Sequence, residues 1–247
     1  MAVSSTLSFD PRLVPVSRVD DDLPPVPHAH LVPRALRQRF ASPPEWTPEV
    51  VREPRFGDRA PAQAAVLIPI VLREAALGGP TILLTLRTAH LSTHSGQIAF
   101  PGGKVDAEDA SVRAAALREA HEEVGLLPGH VQVLGELPVY VTGTSFLVTP
   151  VVGLVQPGFE LNPNPGEVAD VFEVPLAFLM NPAHHRRHAF DWQGGKREWF
   201  SMPYTEKRLN DQGQIEAVER YIWGATAGML RNFYRFLLAE TAAPEVQ

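Results

Sequence analysis

The stretch AAVLIPIVL, Ala64 to Leu72, is apolar from end to end. Such a run must leave water, since each Å² of apolar surface left exposed forgoes about 25 cal/mol. It is far too short to cross a bilayer, which takes about 20 residues as a helix, and Pro69 interrupts it. It reads as a buried strand. TILLTLRT has the same character, and GGP at Gly78–Pro80 supplies the turn between the two. GQIAFPGG continues as a short strand ending in a Gly-Gly loop, and Asp109 to Val124 reads as a helix. HVQVLGEL, PVYVTG and FLVTPVVGLV are strand-like, and EVPLAFLMN is a short helix. HAFDWQGG and KREWFSMPY form a hairpin about Gly194–Gly195, and Trp223 to Leu238 is an amphipathic helix. Strands first, one helix in the middle and one at the end predict a mixed sheet covered by helices.

The first 62 residues differ from the rest, holding 11 of the 24 prolines. They predict an extended arm with one short helix around Pro33–Phe40, ahead of a folded domain at 63–240 and a tail at 241–247. The 247 residues carry a net charge of −6, so nothing global favours nucleic acid or an anionic membrane. With no cysteine, thiolate metal sites, disulfides and cysteine nucleophiles are excluded. The start of the chain has neither a basic segment nor an apolar core of the signal-peptide kind, and a cytoplasmic enzyme is the expectation.

REAHEEVG, Arg118 to Gly125, breaks a local rule. Glu119, Glu122 and Glu123 stand at i, i+3 and i+4 in the last turns before Gly125, where a helix carries partial negative charge. Each exposed glutamate there costs roughly 0.3–1 kcal/mol. Two carboxylates about 5–6 Å apart repel by a further ~3 kcal/mol at an effective dielectric near 20. A solvated acidic face is the ordinary reading of such a run. A divalent cation reverses the sign of the repulsion, and hard carboxylate oxygens select magnesium or manganese. Leu117, Ala120 and Val124 form an apolar stripe on the other side, which Arg113 interrupts.

GGKVDAEDASVRAAALREAHEEVGL resembles the Nudix box: Gly, five residues, Glu, seven residues, Arg-Glu, an aliphatic, any residue, Glu-Glu, any residue, Gly, an aliphatic. The REAHEEVGL half matches well. From Gly103 the acidic position falls on Asp109, and eight residues rather than seven precede Arg118, so either Glu108 or Asp109 is its partner. The resemblance implies a Nudix-type α/β/α sandwich with a mixed sheet, of the α/β (α+β) class. It implies metal ligation by Glu119, Glu123 and Glu122 with the Gly103 carbonyl, and hydrolysis of a diphosphate linked to another moiety. Arg118 orients the cluster, Glu167, from the NPGEV loop, is the candidate acid from outside the box, and either Glu123 or Glu167 is the base.

The preceding stretch LLTLRTAHLSTHSGQIAFPGG, Leu83 to Gly103, together with IWGATAGMLRNF, resembles the coenzyme A diphosphatase branch of that family. This implies coenzyme A or acyl-CoA as substrate and 3′,5′-ADP and 4′-phosphopantetheine as products. Arg87 ends a strand and offers a planar fork for phosphate. His94 and Gln97 offer hydrogen bonds, Gly102 lets backbone approach a ligand, and Lys104 adds positive charge. Alternatives within the fold are ADP-ribose, NADH or a dinucleoside polyphosphate, and from another class a silent nucleotide sensor. Neither nucleic acid nor membrane is an expected partner, and a homodimer stays open. HHRRH at His184–His188 reads as a solvated basic patch, and Trp192, Trp199 and Trp223 as core or interface anchors.

Overall fold

The computed structural model describes residues 10–54, 60–88, 96–192, 195–210 and 212–240. In chain order the elements are β1 (Val16–Val19), α1 (Pro33–Ala41), β2 (Ala62–Val71), β3 (Thr81–Arg87), β4 (Ile98–Ala99) and β5 (Gly102–Lys104). Next come α2 (Val112–Val124), β6 (Val131–Glu136), β7 (Tyr140–Val141), β8 (Phe146–Val155), β9 (Val168–Pro175) and α3 (Leu176–Leu179). The series ends with β10 (Arg186–Trp192), β11 (Gly195–Leu209), β12 (Ile215–Trp223) and α4 (Gly224–Leu238).

The long apolar runs pair with one another. β2 lies parallel to β8 from Ala62↔Phe146 to Val71↔Val155. It runs antiparallel to β3 at Ile70↔Ile82 and to β5 at Ala65↔Gly103. β3 also carries β9 and β4, and β8 carries β6 and β7, which completes a mixed sheet. Successive side chains of β2 alternate between its faces. Ala65, Leu67 and Val71 pack with Ala115, Ala116, Ala120 and Val124 of α2. Ala64, Ile68 and Ile70 pack with Leu230, Phe233, Tyr234 and Leu237 of α4 and with Leu36 of α1. Burial on both faces is why this strand shows no polar alternation. Helix, sheet and helix therefore stack as three layers. Among the described residues no helix is long and apolar enough to cross a membrane.

A second, antiparallel sheet of order β1-β10-β11-β12 lies beside the first. The hairpin about Gly194–Gly195 is present as β10–β11, with Trp192 opposite Gly195, and residues 193–194 lie outside the described set. β11 runs on to Leu209 and turns into β12, a strand absent from the sequence reading. β1 brings the N-terminal arm onto β10.

The reading of HHRRH as a solvated patch is wrong. His185 is fully buried and His188 nearly so. His185 Nε2 bonds the Leu179 carbonyl at 2.8 Å while Arg231 reaches its Nδ1, and His188 Nε2 bonds Ser201 Oγ at 2.8 Å. Arg187 is tied to Asp20 and Glu49 from the arm, partners too distant in sequence for a local charge count to find. Trp199 stacks on His188 and meets Trp223 edge-on.

Candidate active site

Helix α2 starts at Val112 rather than Asp109, because Ser111 caps it, its side chain accepting the Ala114 N–H at 3.1 Å. Asp109 is thereby left in the loop, where it answers the question of Arg118's partner. Arg118 donates from Nε and Nη2 to the two carboxylate oxygens of Asp109 at 3.0 and 2.8 Å, a bidentate pair. That hydrogen bonding holds Asp109 down at about 2. The same guanidinium donates to Glu119 and Glu122, both at 2.9 Å, and to the Lys104 carbonyl at 3.1 Å. Arg118 thus fixes the helix to the loop and β5 while offsetting part of the acidic charge.

The three glutamates are not equivalent. Glu122 is exposed, Glu119 is half-buried, and Glu123 is only 2% exposed. The buried stripe of α2 is accordingly Ala116, Ala120, Glu123 and Val124 with Ala115, while Leu117 is only partly buried. Arg113 does not enter this stripe and bonds Glu136 at the surface at 2.7 Å. Glu123 accepts the Gly102 N–H at 3.1 Å on one oxygen and Arg87 Nη1 at 3.2 Å on the other. Burial nevertheless dominates and pushes it up to about 7, with the charges of Glu119 and Glu167 acting in the same direction. Glu119 is raised too, by burial first and then by Glu122 and Glu167 against the opposing pull of Arg118. Glu167 therefore lies within electrostatic reach of both.

The two glycines of the FPGG stretch have separate reasons. Gly102, at φ +159°, lies against the backbone of Ala65 and Val66, and a Cβ there would overlap β2. A Cβ on Gly103 would overlap the carboxylate of Glu119. Gly102 and Gly103 thus belong to β5 rather than to the loop expected from sequence, and small size at position 103 is what lets that carboxylate sit against the strand.

The far end of α2 shows how the acidic terminus is tolerated. Gly125 turns left-handed at φ 75°, and its N–H bonds the His121 carbonyl at 2.9 Å. The carbonyls of Val124 and Glu123, ordinarily orphaned at a helix end, accept the N–H groups of Asn162 and Asn164, each at 2.9 Å. The loop making these bonds is the one that carries Glu167. Its other flank is held by the Thr88 N–H on the Glu167 carbonyl at 3.0 Å, just past Arg87. Asn162 and Asn164 were missed from sequence. The NPNPG turn signal was available, but not the helix it would cap.

The structure therefore brings together Arg87, Gly102, Gly103, Lys104, Asp109, Arg118, Glu119, Glu122, Glu123 and Glu167. Gln97 enters this neighbourhood through its backbone, its carbonyl accepting the Arg87 N–H at 2.9 Å. His94 lies outside the described residues. Arg87 was expected to face phosphate. Its Nη1 instead lies on Glu123, and its Nε is buried with no partner among the described residues.

The donor set fits a hard divalent cation, being made of carboxylates and peptide oxygen. Crowding and burial raise Glu119 and Glu123, and a bound cation would relieve both. Among the described residues no three acidic or imidazole groups already converge as a cage; Arg118 bridges Glu119 and Glu122, while Arg87 and the Gly102 N–H hold Glu123.

A family model described as NUDIX domain matches residues 61–193. A relative named uncharacterized Nudix hydrolase NudL, from Enterobacter sp. strain 638, is 44% identical over 173 residues, which is 69% of this chain and 80% of the relative. Its namesake from Shigella flexneri serotype 5b is 43% identical over 187 residues, covering 75% and 85% respectively. Among solved structures, the M. smegmatis protein RenU, a Nudix hydrolase, shares 27% identity over 48% of this chain and 73% of its own, with a TM-score of 0.41.

Proposed function

Since the chain belongs to the Nudix hydrolase family, whose enzymes cleave diphosphate bonds, we propose that its substrate is coenzyme A or an acyl derivative, released as 3′,5′-ADP and 4′-phosphopantetheine. One observation carries the choice. The segment that resembles the coenzyme A diphosphatase branch, Leu83 to Gly103, is also the segment that delivers Arg87 and Gly102 to the acidic cluster.

Magnesium or manganese would be held by Glu119, Glu123 and Glu122 with the Gly103 carbonyl. When bound it would neutralise the diphosphate and lower the pKa of a coordinated water. The remaining roles belong to the chain. Both oxygens of Glu123 already accept hydrogen bonds in a nearly closed environment, which suits a fixed ligand. Glu167 stands on a partly exposed loop beside the cluster, which suits the base that accepts a proton from the attacking water. Arg118 keeps Glu119 and Glu122 in place through Asp109. Arg87 and Lys104 would meet the diphosphate, with the 3′-phosphate an added reason for cationic side chains.

A substrate panel tests the reading. Purified protein with magnesium or manganese receives coenzyme A, ADP-ribose, NADH and a diadenosine polyphosphate in parallel, and the products are identified by mass spectrometry. 3′,5′-ADP and phosphopantetheine are expected to form fastest. A much faster cut of another diphosphate would retain the family chemistry and overturn the coenzyme A assignment.

A further inference from the structure

We propose that Asn164 is a positioning residue for the hydrolysis, holding the Glu167 carboxylate against the Glu119–Glu123 cluster. The inference rests on the assignment of Glu167 as the base. Asn164 lies at the centre of the loop that caps α2. Its N–H donates to the Glu123 carbonyl at 2.9 Å, and its own carbonyl accepts the N–H groups of Glu167 and Val168 at 3.0 and 2.9 Å. Its side chain makes two further bonds. The oxygen accepts the Gly166 N–H at 3.0 Å, and the amide nitrogen donates to Glu167 Oε1 at 3.2 Å. The orientation of the amide follows from chemistry, because a backbone N–H can only face the oxygen, which leaves the NH₂ for the carboxylate.

One side chain therefore shapes the turn and holds the group the turn presents. The backbone bond to Glu123 locates the loop on the helix that carries the proposed cation ligands, and the side-chain bond sets where on that loop the carboxylate rests. The amide is neutral, so it holds Glu167 without adding a cation that would compete for its charge. A loop glutamate lacking this bond would keep its torsional freedom and spend most of its time away from the reacting water.

Asn164→Asp tests this. The aspartate keeps an acceptor for the Gly166 N–H at nearly the same size and replaces the donor facing Glu167 with a carboxylate oxygen. With the fastest substrate of the panel, kcat is expected to fall roughly 10–100-fold, the scale seen when a supporting hydrogen bond to a functional group is lost. KM and Tm are expected to stay near wild type. In the Glu167→Gln background the same change is expected to have no further effect on kcat. Should Asn164→Asp fold poorly, Asn164→Ser keeps an oxygen for the turn and replaces the amide donor with a shorter hydroxyl, and the same cycle applies. Wild-type kcat in folded Asn164→Asp, or an undiminished further loss in the Glu167→Gln background, would overturn the proposal. A Glu167→Gln enzyme with wild-type kcat would instead overturn the base assignment, and with it the positioning role.

Discussion

At the scale of single residues, the site sets two carboxylates at opposite ends of the titration range. Asp109, chelated by Arg118, is held at about 2 and stays charged. Glu123, 2% exposed, is lifted by burial from 4.5 to about 7. Without a cation, ionising Glu123 in the folded state costs about 3 kcal/mol relative to the unfolded chain. The sign follows from linkage. Between about 4.5 and 7 the unfolded chain has released this proton while the folded chain retains it, so stability falls as pH rises through that window. Glu123→Gln cannot ionise and escapes the loss. Melting curves in the presence of chelator are expected to show little difference between mutant and wild type at pH 4.5. By pH 8 the mutant is expected to melt several degrees higher. Its turnover with metal is expected to drop at least about 100-fold, the scale of losing one electrostatic partner in a transition state. A Tm difference that does not change with pH would show that Glu123 does not carry the raised proton.

At the scale of the element, the two ends of α2 separate stability from function. Ser111 serves only the helix start, where its hydroxyl satisfies the Ala114 N–H. Ser111→Ala is expected to cost about 1 kcal/mol, lowering Tm by roughly 2–4 °C with kcat unchanged. Gly125 closes the other end in a left-handed turn, where an added Cβ would lie 2.7 Å from the backbone nitrogen of Asn162. Gly125→Ala is also expected to cost about 1 kcal/mol or more. Unlike the first change, it pushes on the loop whose N–H groups cap Glu123 and Val124 and which carries Glu167. A fall in both Tm and kcat is therefore expected, measured side by side with Ser111→Ala at equal stability loss. If Gly125→Ala lowered Tm alone, the capping loop would not be coupled to the chemistry.

At the scale of the whole molecule, what could be read from the sequence was whatever depends on local spacing. The buried runs of β2, β3 and β8 announce themselves by composition, and the acidic end of α2 by its conflict with the helix dipole. The rest depends on partners far along the chain. Asn164 is seated by the carbonyl of Glu123, some 40 residues earlier. β12 was overlooked because EAVERY mixes charged residues with small and apolar ones and keeps neither a strict alternation nor the continuous apolar signature of the central strands. The arginines of β10 looked solvated because the partners of Arg187 lie in the N-terminal arm, where Arg231 of α4 meets the same two anions. Asp20, fully buried, accepts Arg187 at 2.7–2.9 Å and Arg231 at 3.0 Å, and Glu49 accepts Arg231 at 2.7 Å. This network ties the arm to both β10 and α4, so removing one anion leaves buried guanidinium charge under-compensated. Asp20→Asn is expected to destabilise the protein by about 3–5 kcal/mol, a Tm loss on the order of 10 °C. Its pH dependence is distinctive. Burial alone would raise Asp20, yet its arginine partners hold it below the ordinary 3.8. The aspartate's contribution is therefore complete above about 3.8 and is lost only as pH falls through the depressed folded value. The stability gap between wild type and Asp20→Asn should stay constant from pH 8 to pH 5 and close only in stronger acid. If it already narrowed between pH 6 and 5, a group other than this buried aspartate would be anchoring the arm.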